Sequence, residues 1–258
     1  MKNLLTSLFI ATLMIALLGC QGENKGAEAN SSDSLQGITS EVLKTLKVSD
    51  IVILDGNKPL ECRGLRLRLL TAAPGAKIAV HSHENRPAIL SVVSGKGMDV
   101  TSYHMDKGAK ETVTIPYGQS YAEFNNIVHY ADNLSKTDTL RLITFDFLDD
   151  GSDCDGKKYQ QNLPALEQLK KDNDSFYANN SAHVEGAEYS SPIFYVPLAD
   201  IKYPAGSATF KDRVLRTRKV TLEAGKSLPQ QNYLNRPTYV FVLEGLWKLK
   251  KVHLKRKL

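Results

Sequence analysis

The strongest constraint in this 258-residue chain is that it repeats itself at an offset of 150 residues. Asp50-Ile51 returns as Asp200-Ile201, Gly56 as Gly206, and Arg63, Leu65, Arg66 and Arg68 as Arg213, Leu215, Arg216 and Arg218. Thr71, Gly75, Asn85-Arg86-Pro87, Val92 and Gly95 return as Thr221, Gly225, Asn235-Arg236-Pro237, Val242 and Gly245. Fourteen identities over forty-six ungapped positions exceed what unrelated segments share. The period is too long for a solenoid unit, so the chain carries a duplicated domain.

Both copies read as β structure. Leu65 to Leu69 alternates apolar and polar residues at the strand period. Ile89–Val93 and Tyr239–Leu243 are short apolar runs, each closed by a glycine turn, and Thr112–Ile115 and Thr139–Phe147 supply further strands. Many short strands with Gly, Pro and Asn punctuation indicate an all-β sandwich or barrel. Between the copies, Pro164–Tyr177 predicts one exposed linking helix, and Asp149–Gly156 is an acidic turn without calcium-loop spacing.

The N-terminus carries an address. Lys2 precedes an apolar run from Leu4 to Leu18, shorter than a spanning helix needs. It ends in Leu17-Leu18-Gly19-Cys20, which resembles the lipobox of bacterial lipoproteins, and that resemblance implies acylation of Cys20. Residues 21–34 have no large apolar side chain and read as a flexible tether. The expected location is a bacterial membrane, with the lipid as the membrane partner and the protein facing the periplasm or the cell exterior. In such a compartment Cys62 and Cys154 either form a disulfide or remain buried thiols.

Charge excludes one class of partner. Six of the last eleven residues are basic, and without them the net charge of +5 falls to −1. The body has no basic face for nucleic acid.

The chemistry-bearing motif is Gly75-(x)5-His81-Ser82-His83, since alternate residues on a strand point to one face and two imidazoles can then share one metal ion. His129-(x)3-Asn133 follows. With these residues the chain resembles the cupin superfamily, whose first motif matches at Gly75, His81, His83 and Gly95 and whose second matches at His129 and Asn133. The glutamate position of the first motif is Ala88, and the turn before His129 reads Phe124-Asn125-Asn126 in place of Pro-x-Gly. Asn tolerates the left-handed conformation a Gly would take there. A competing alignment uses Pro116-Tyr117-Gly118 as the turn and places Tyr121 at the histidine.

The resemblance implies a double-stranded β-helix, or jelly-roll barrel, holding a divalent ion (Fe, Zn, Mn or Ni) on His81, His83 and His129. Tyr121 and Glu123 are candidates for further ligands or acid–base groups. Arg86 either contacts substrate or caps its turn. In the second copy Gln231 and Tyr233 stand where the first has His81 and His83, so that copy cannot hold the same ion. The expected organisation is a signal peptide over 1–19, a tether over 20–45, a cupin domain over 46–150, a helical linker over 151–190 and an incomplete second copy over 191–258. That copy either adds strands to the first domain, is shortened or frame-shifted, or ends in a basic tail for anionic lipid. Two functions stay open: a metal-dependent enzyme on a small organic molecule, or a non-catalytic small-molecule-binding or structural module. A homodimer is compatible with either. His104, His183 and His253 lack motif support and read as surface residues.

Overall fold

A computed structural model describes residues 37–154 except 84, 105–108 and 126; residues 156, 157 and 159; and residues 188–248 except 230, 232, 234 and 235. The leader with Cys20, the expected tether as far as residue 36, the linking helix at 164–177, His183, His253 and the side chain of His104 lie outside the described residues, whereas residues 38–45, also expected in the tether, belong to a strand.

Eleven strands form among the described residues: β1 (Ile38–Lys47), β2 (Gly64–Ala72), β3 (Lys77–Ser82), β4 (Ala88–Ser94), β5 (Gly97–His104), β6 (Ala109–Pro116), β7 (Ser120–Glu123), β8 (Ile127–Asn133), β9 (Leu140–Leu148), β10 (Glu188–Pro197) and β11 (Val214–Leu222). One sheet runs β10-β2-β9-β4-β7, a second runs β3-β8-β5-β6, and β1 pairs with β11 in a third. All pairings are antiparallel. From β2 to β9 the pairs nest: β2 with β9, β3 with β8, β4 with β7, β5 with β6. One long hairpin is thus wound into an eight-stranded jelly roll of the double-stranded β-helix type, an all-β fold.

The alternation along each strand decides which residues enter the barrel. Leu70 and Ala72 on β2, Leu140 and Leu142 on β9, Leu90 and Val92 on β4, and Val100, Ile115 and Ala131 from the other sheet bury together as an apolar floor. Each such large side chain, moved from water to the interior, contributes about 1.5–3 kcal/mol. Further along the same inward rows the chemistry changes. Arg66, Asp146, Ala88 and Glu123 stand in cross-strand register and make a polar layer above the floor. The outward residues of the same sheet (Leu65, Ile89, Ala122 and Phe147) pack with Leu46 and Leu215 of the third sheet in a second core. Gly95 turns β4 into β5 at φ 93°, where a Cβ would stand 3.1 Å from the Leu140 backbone.

The repeat exchanges its first strands. At the offset of 150, β10 corresponds to β1 and β11 to β2. Yet β1 pairs with β11 (Ile38 opposite Leu222) while β10 pairs with β2 (Glu188 opposite Ala72). Even the bulges correspond, at Val42/Lys44 and Pro192/Phe194. So do the hydrogen bonds that follow: Val48 N–H donates to the Arg213 carbonyl and Leu198 N–H to the Arg63 carbonyl, both at 2.9 Å. Pro192 is tolerated because β10 is an edge strand.

One sequence expectation is corrected here. Tyr239–Leu243, read as a strand like its counterpart at Ile89–Val93, is not a strand. Among the described residues no strand lies beside it, whereas β4 sits between β9 and β7, and a strand without neighbours leaves its backbone groups unpaired.

Cys62 and Cys154 are joined in a disulfide with a Cα–Cα distance of 5.7 Å. The acidic turn beside it holds the buried Lys58, whose Nζ lies 2.9 Å from Asp150 and 3.7 Å from Asp149.

Candidate metal centre

His81 on β3 and His129 on β8 are directly opposite in the ladder, and a register shift between Ile78 and His81 precedes the site. His83 stands just past the end of β3 on the same face as His81. The three side chains converge with ligand atoms all within 4.8 Å of one another. His83 and His129 are each 2 % exposed.

Hydrogen bonds set the tautomers. His81 donates its Nδ1–H to the Ala79 carbonyl and His83 its Nδ1–H to the Arg86 carbonyl, each at 2.8 Å. A carbonyl can only accept, so the Nε2 of both rings carries a lone pair and no proton. Those two Nε2 atoms are 3.1 Å apart, and His129 Nε2 lies 3.0 Å from His81 Nε2. Two nitrogens each about 2.1 Å from one ion sit roughly 3.0–3.4 Å apart at ordinary coordination angles. The donor set therefore fits a first-row divalent ion.

Electrostatics keep the rings neutral. Burial lowers the His81 pKa to about 4, with Arg86 and Arg68 pushing the same way against the Ala79 hydrogen bond. Burial likewise holds His83 and His129 well below the usual imidazole value, helped by the neighbouring rings and Arg86. Glu123 is 2 % exposed, and burial raises its pKa to about 8, opposed by Arg86 and Arg68. Glu123 Oε2 is 3.2 Å from His83 Nε2, and Oε1 is 3.4 Å from His129 Nδ1. Neither Oε1 nor that Nδ1 makes a hydrogen bond.

The cluster opens on a cavity of about 30 Å³, also lined by Arg68, Leu90, Met98 and Thr144. That is room for roughly two water-sized groups.

The other expected residues are placed as follows. Arg86 lies in the loop between β3 and β4. Its carbonyl orients His83, while its guanidinium comes to 3.9 Å from Asp146 with a buried Nε that makes no hydrogen bond. The recurring Asn85 accepts from the buried Arg63 through its side-chain oxygen at 2.8 Å. The turn at Pro116–Gly118 joins β6 to β7, so Tyr121 lies on β7 and His129 on the following strand. Tyr121 is half-buried against the apolar floor. Asn125 adopts φ 58°, the left-handed conformation. Asn133 stands apart from the cluster. Its amide donates to the Ala73 and Asp138 carbonyls at 2.9 Å and closes the turn into β9.

Sequence reasoning missed Asp146. It is fully buried, accepts from Arg66 at 3.0 and 2.7 Å, and has Arg68 at 3.8 Å. The available signal was a lone acid at inward parity in an apolar strand, together with arginines at both alternate positions 66 and 68.

No family model and no curated protein matches the chain. Among solved structures it is similar to the CENP-C cupin domain of Drosophila melanogaster at 14 % identity and TM-score 0.29, over 30 % of this chain and 57 % of that one. It is similar to a cupin protein from Bacteroides fragilis at 15 % identity and TM-score 0.27, over 39 % and 79 %. It is also similar to KdgF from Halomonas sp. at 21 % identity and TM-score 0.27, over 45 % and 83 %. The chain spans 57 % of the length of that CENP-C domain and 60 % of the Cnp3 cupin domain of Schizosaccharomyces pombe. The fold assignment rests on strand order and pairing.

Proposed function

We propose that this chain is an exported lipoprotein whose jelly roll binds a divalent metal ion on His81, His83 and His129 and presents it to a small organic molecule. One observation carries the reading: the Nε2 atoms of His81 and His83, whose Nδ1 atoms both face backbone carbonyls, stand 3.1 Å apart in a buried cluster. Without a cation between them, lone pairs would face each other in a low-dielectric site, a costly arrangement. A bound ion would supply Lewis-acid polarisation of a substrate oxygen. The chain's own residues orient the imidazoles through the Ala79 and Arg86 carbonyls, keep them neutral by burial, and wall the cavity with Leu90 and Met98. A cavity of about 30 Å³ admits only the end of a ligand, which favours as second reading a non-catalytic binding module.

Metal analysis of the purified full chain tests the proposal. Reloading after chelation should give about one ion per chain from Fe, Zn, Mn or Ni, and His81→Ala, His83→Ala and His129→Ala should each hold far less. A wild-type chain that takes up no stoichiometric ion overturns the centre. Turnover of a small molecule by the loaded protein would select the enzyme, and saturable binding without turnover the module.

The lipoprotein part rests on Leu17-Leu18-Gly19-Cys20, and the Cys62–Cys154 disulfide supports an oxidising compartment. Cys20→Ala should move the protein from the membrane to the soluble fraction and change its N-terminal mass. Identical fractionation and mass would remove the anchor.

A further inference from the structure

We propose that Glu123 is the fourth ligand of this centre and that the ion, once bound, ties the two sheets of the barrel together. The inference rests on the three-imidazole centre proposed above and adds a residue from the opposite wall.

The three histidines all belong to one wall. His81 and His129 are cross-strand partners in the four-stranded sheet, and His83 follows directly from β3. Glu123 ends β7, the edge strand of the facing sheet. Its carboxylate nevertheless reaches across the barrel, with Oε2 3.2 Å from His83 Nε2. That nitrogen carries no proton, because the ring's Nδ1–H is already given to the Arg86 carbonyl. An ionised carboxylate there meets a lone pair, the same conflict that the imidazoles present to each other. Separations of 3.0, 3.1 and 3.2 Å among His129, His81, His83 and Glu123 are the edges of one coordination shell.

The neighbours leave the role to Glu123. Asp146, the other inward acid of its layer, is occupied by Arg66 on two nitrogens. Ala88 stands between them in the ladder and offers only a methyl group. Oε1 is buried without a hydrogen-bond partner, an orphaned acceptor that a bound cation would compensate. The rival arrangement is a protonated Glu123 that donates to His83 Nε2 and never touches an ion.

Zinc titration of the full-length, chelator-stripped protein separates the two, with affinity by competition against a chromophoric chelator and melting temperature as a second readout. Glu123→Gln keeps the shape and a neutral hydrogen-bond donor, and its zinc-free melting temperature shows whether it folds as wild type does. If Glu123 ligates, this variant loses more than about 100-fold in zinc affinity, beyond the 10–100-fold typical of a residue acting through a ligand. It should also lose most of the rise in melting temperature that zinc gives the wild type, because the ion then grips one sheet. A Glu123→Gln protein with near wild-type affinity and thermal gain, beside a His83→Ala protein that holds no zinc, overturns this inference and leaves the imidazole centre standing. His83→Ala with undiminished zinc removes the centre itself.

Discussion

Asp146→Asn tests how the polar layer is held together. The carboxylate is fully buried, takes two hydrogen bonds from Arg66, and has Arg68 and Arg86 at 3.8 and 3.9 Å. Asparagine preserves the shape but removes the charge, so three guanidinium groups face a neutral amide. Breaking a buried pair by removing one partner costs about 3–5 kcal/mol. The three arginine side chains keep 13–27 % of their surface in water, which supports the lower end, about 3 kcal/mol. For a domain of this size that is a drop of roughly 6–12 °C in melting temperature. The assay is urea or thermal unfolding of the metal-free protein, so that ion binding does not enter the balance. Arg66→Met combined with Asp146→Asn should recover part of the loss, as removing one stranded cation relieves the layer. An Asp146→Asn variant within about 0.5 kcal/mol of wild type, or strictly additive single losses, would refute the shared-carboxylate argument.

Two further outcomes follow from the same structure. The Cys62–Cys154 bridge closes a loop of 92 residues, for which chain entropy estimates about 4–5 kcal/mol, so reduction or Cys62→Ser with Cys154→Ser should lower the melting temperature markedly; free thiols at both positions in unreduced protein would refute the bridge. In metal-free protein the folded pKa of His81, about 4, lies below its unfolded value of about 6.5, so its contribution is full above pH 6.5 and lost as pH falls toward 4. Glu123, raised to about 8, contributes the opposite way, with stability present below about pH 4.5 and lost as pH rises to 8. Unfolding free energies across pH 4–8 should therefore lose their acid limb partly in His81→Gln and their alkaline limb in Glu123→Gln, and unchanged profiles would contradict both assignments.

What the sequence disclosed was set by locality. The strand around Leu65–Leu69, the run at Ile89–Val93, the pair His81 and His83 and the left-handed Asn125 all depend on neighbours a few residues away, where periodicity and turn chemistry act. The exchange of first strands was not legible, because β1 with β11 and β10 with β2 pair in corresponding registers, and two copies that share this pattern of strands and turns cannot say which of them supplies the partner. The cluster itself joins residues 48 apart, and a motif order alone does not show that Pro116–Gly118 and His129 serve successive strands. Glu123 was legible as a candidate, but its reach toward His83 depends on the curvature that brings β7 over β3. Tyr239–Leu243 has a strand's composition without a strand's neighbours, and composition cannot report that.

The exchanged strands also bear on how the molecule is made. As synthesis proceeds from the N-terminus, residues through Leu148 can wind into the jelly roll before the second copy exists, but β2 then presents a bare edge until β10 arrives. β1 waits longer still, since Lys47 must find Val214 and Ile38 must find Leu222. Throughout that interval another chain's β1 or β10 is an equally good partner, identical in sequence and register. Crowding during biosynthesis should therefore favour interlocked assemblies over single molecules, and dilution during refolding should reverse the outcome. A nick between the copies would leave two pieces still laced together by eighteen cross-strand residue pairs of shared ladder.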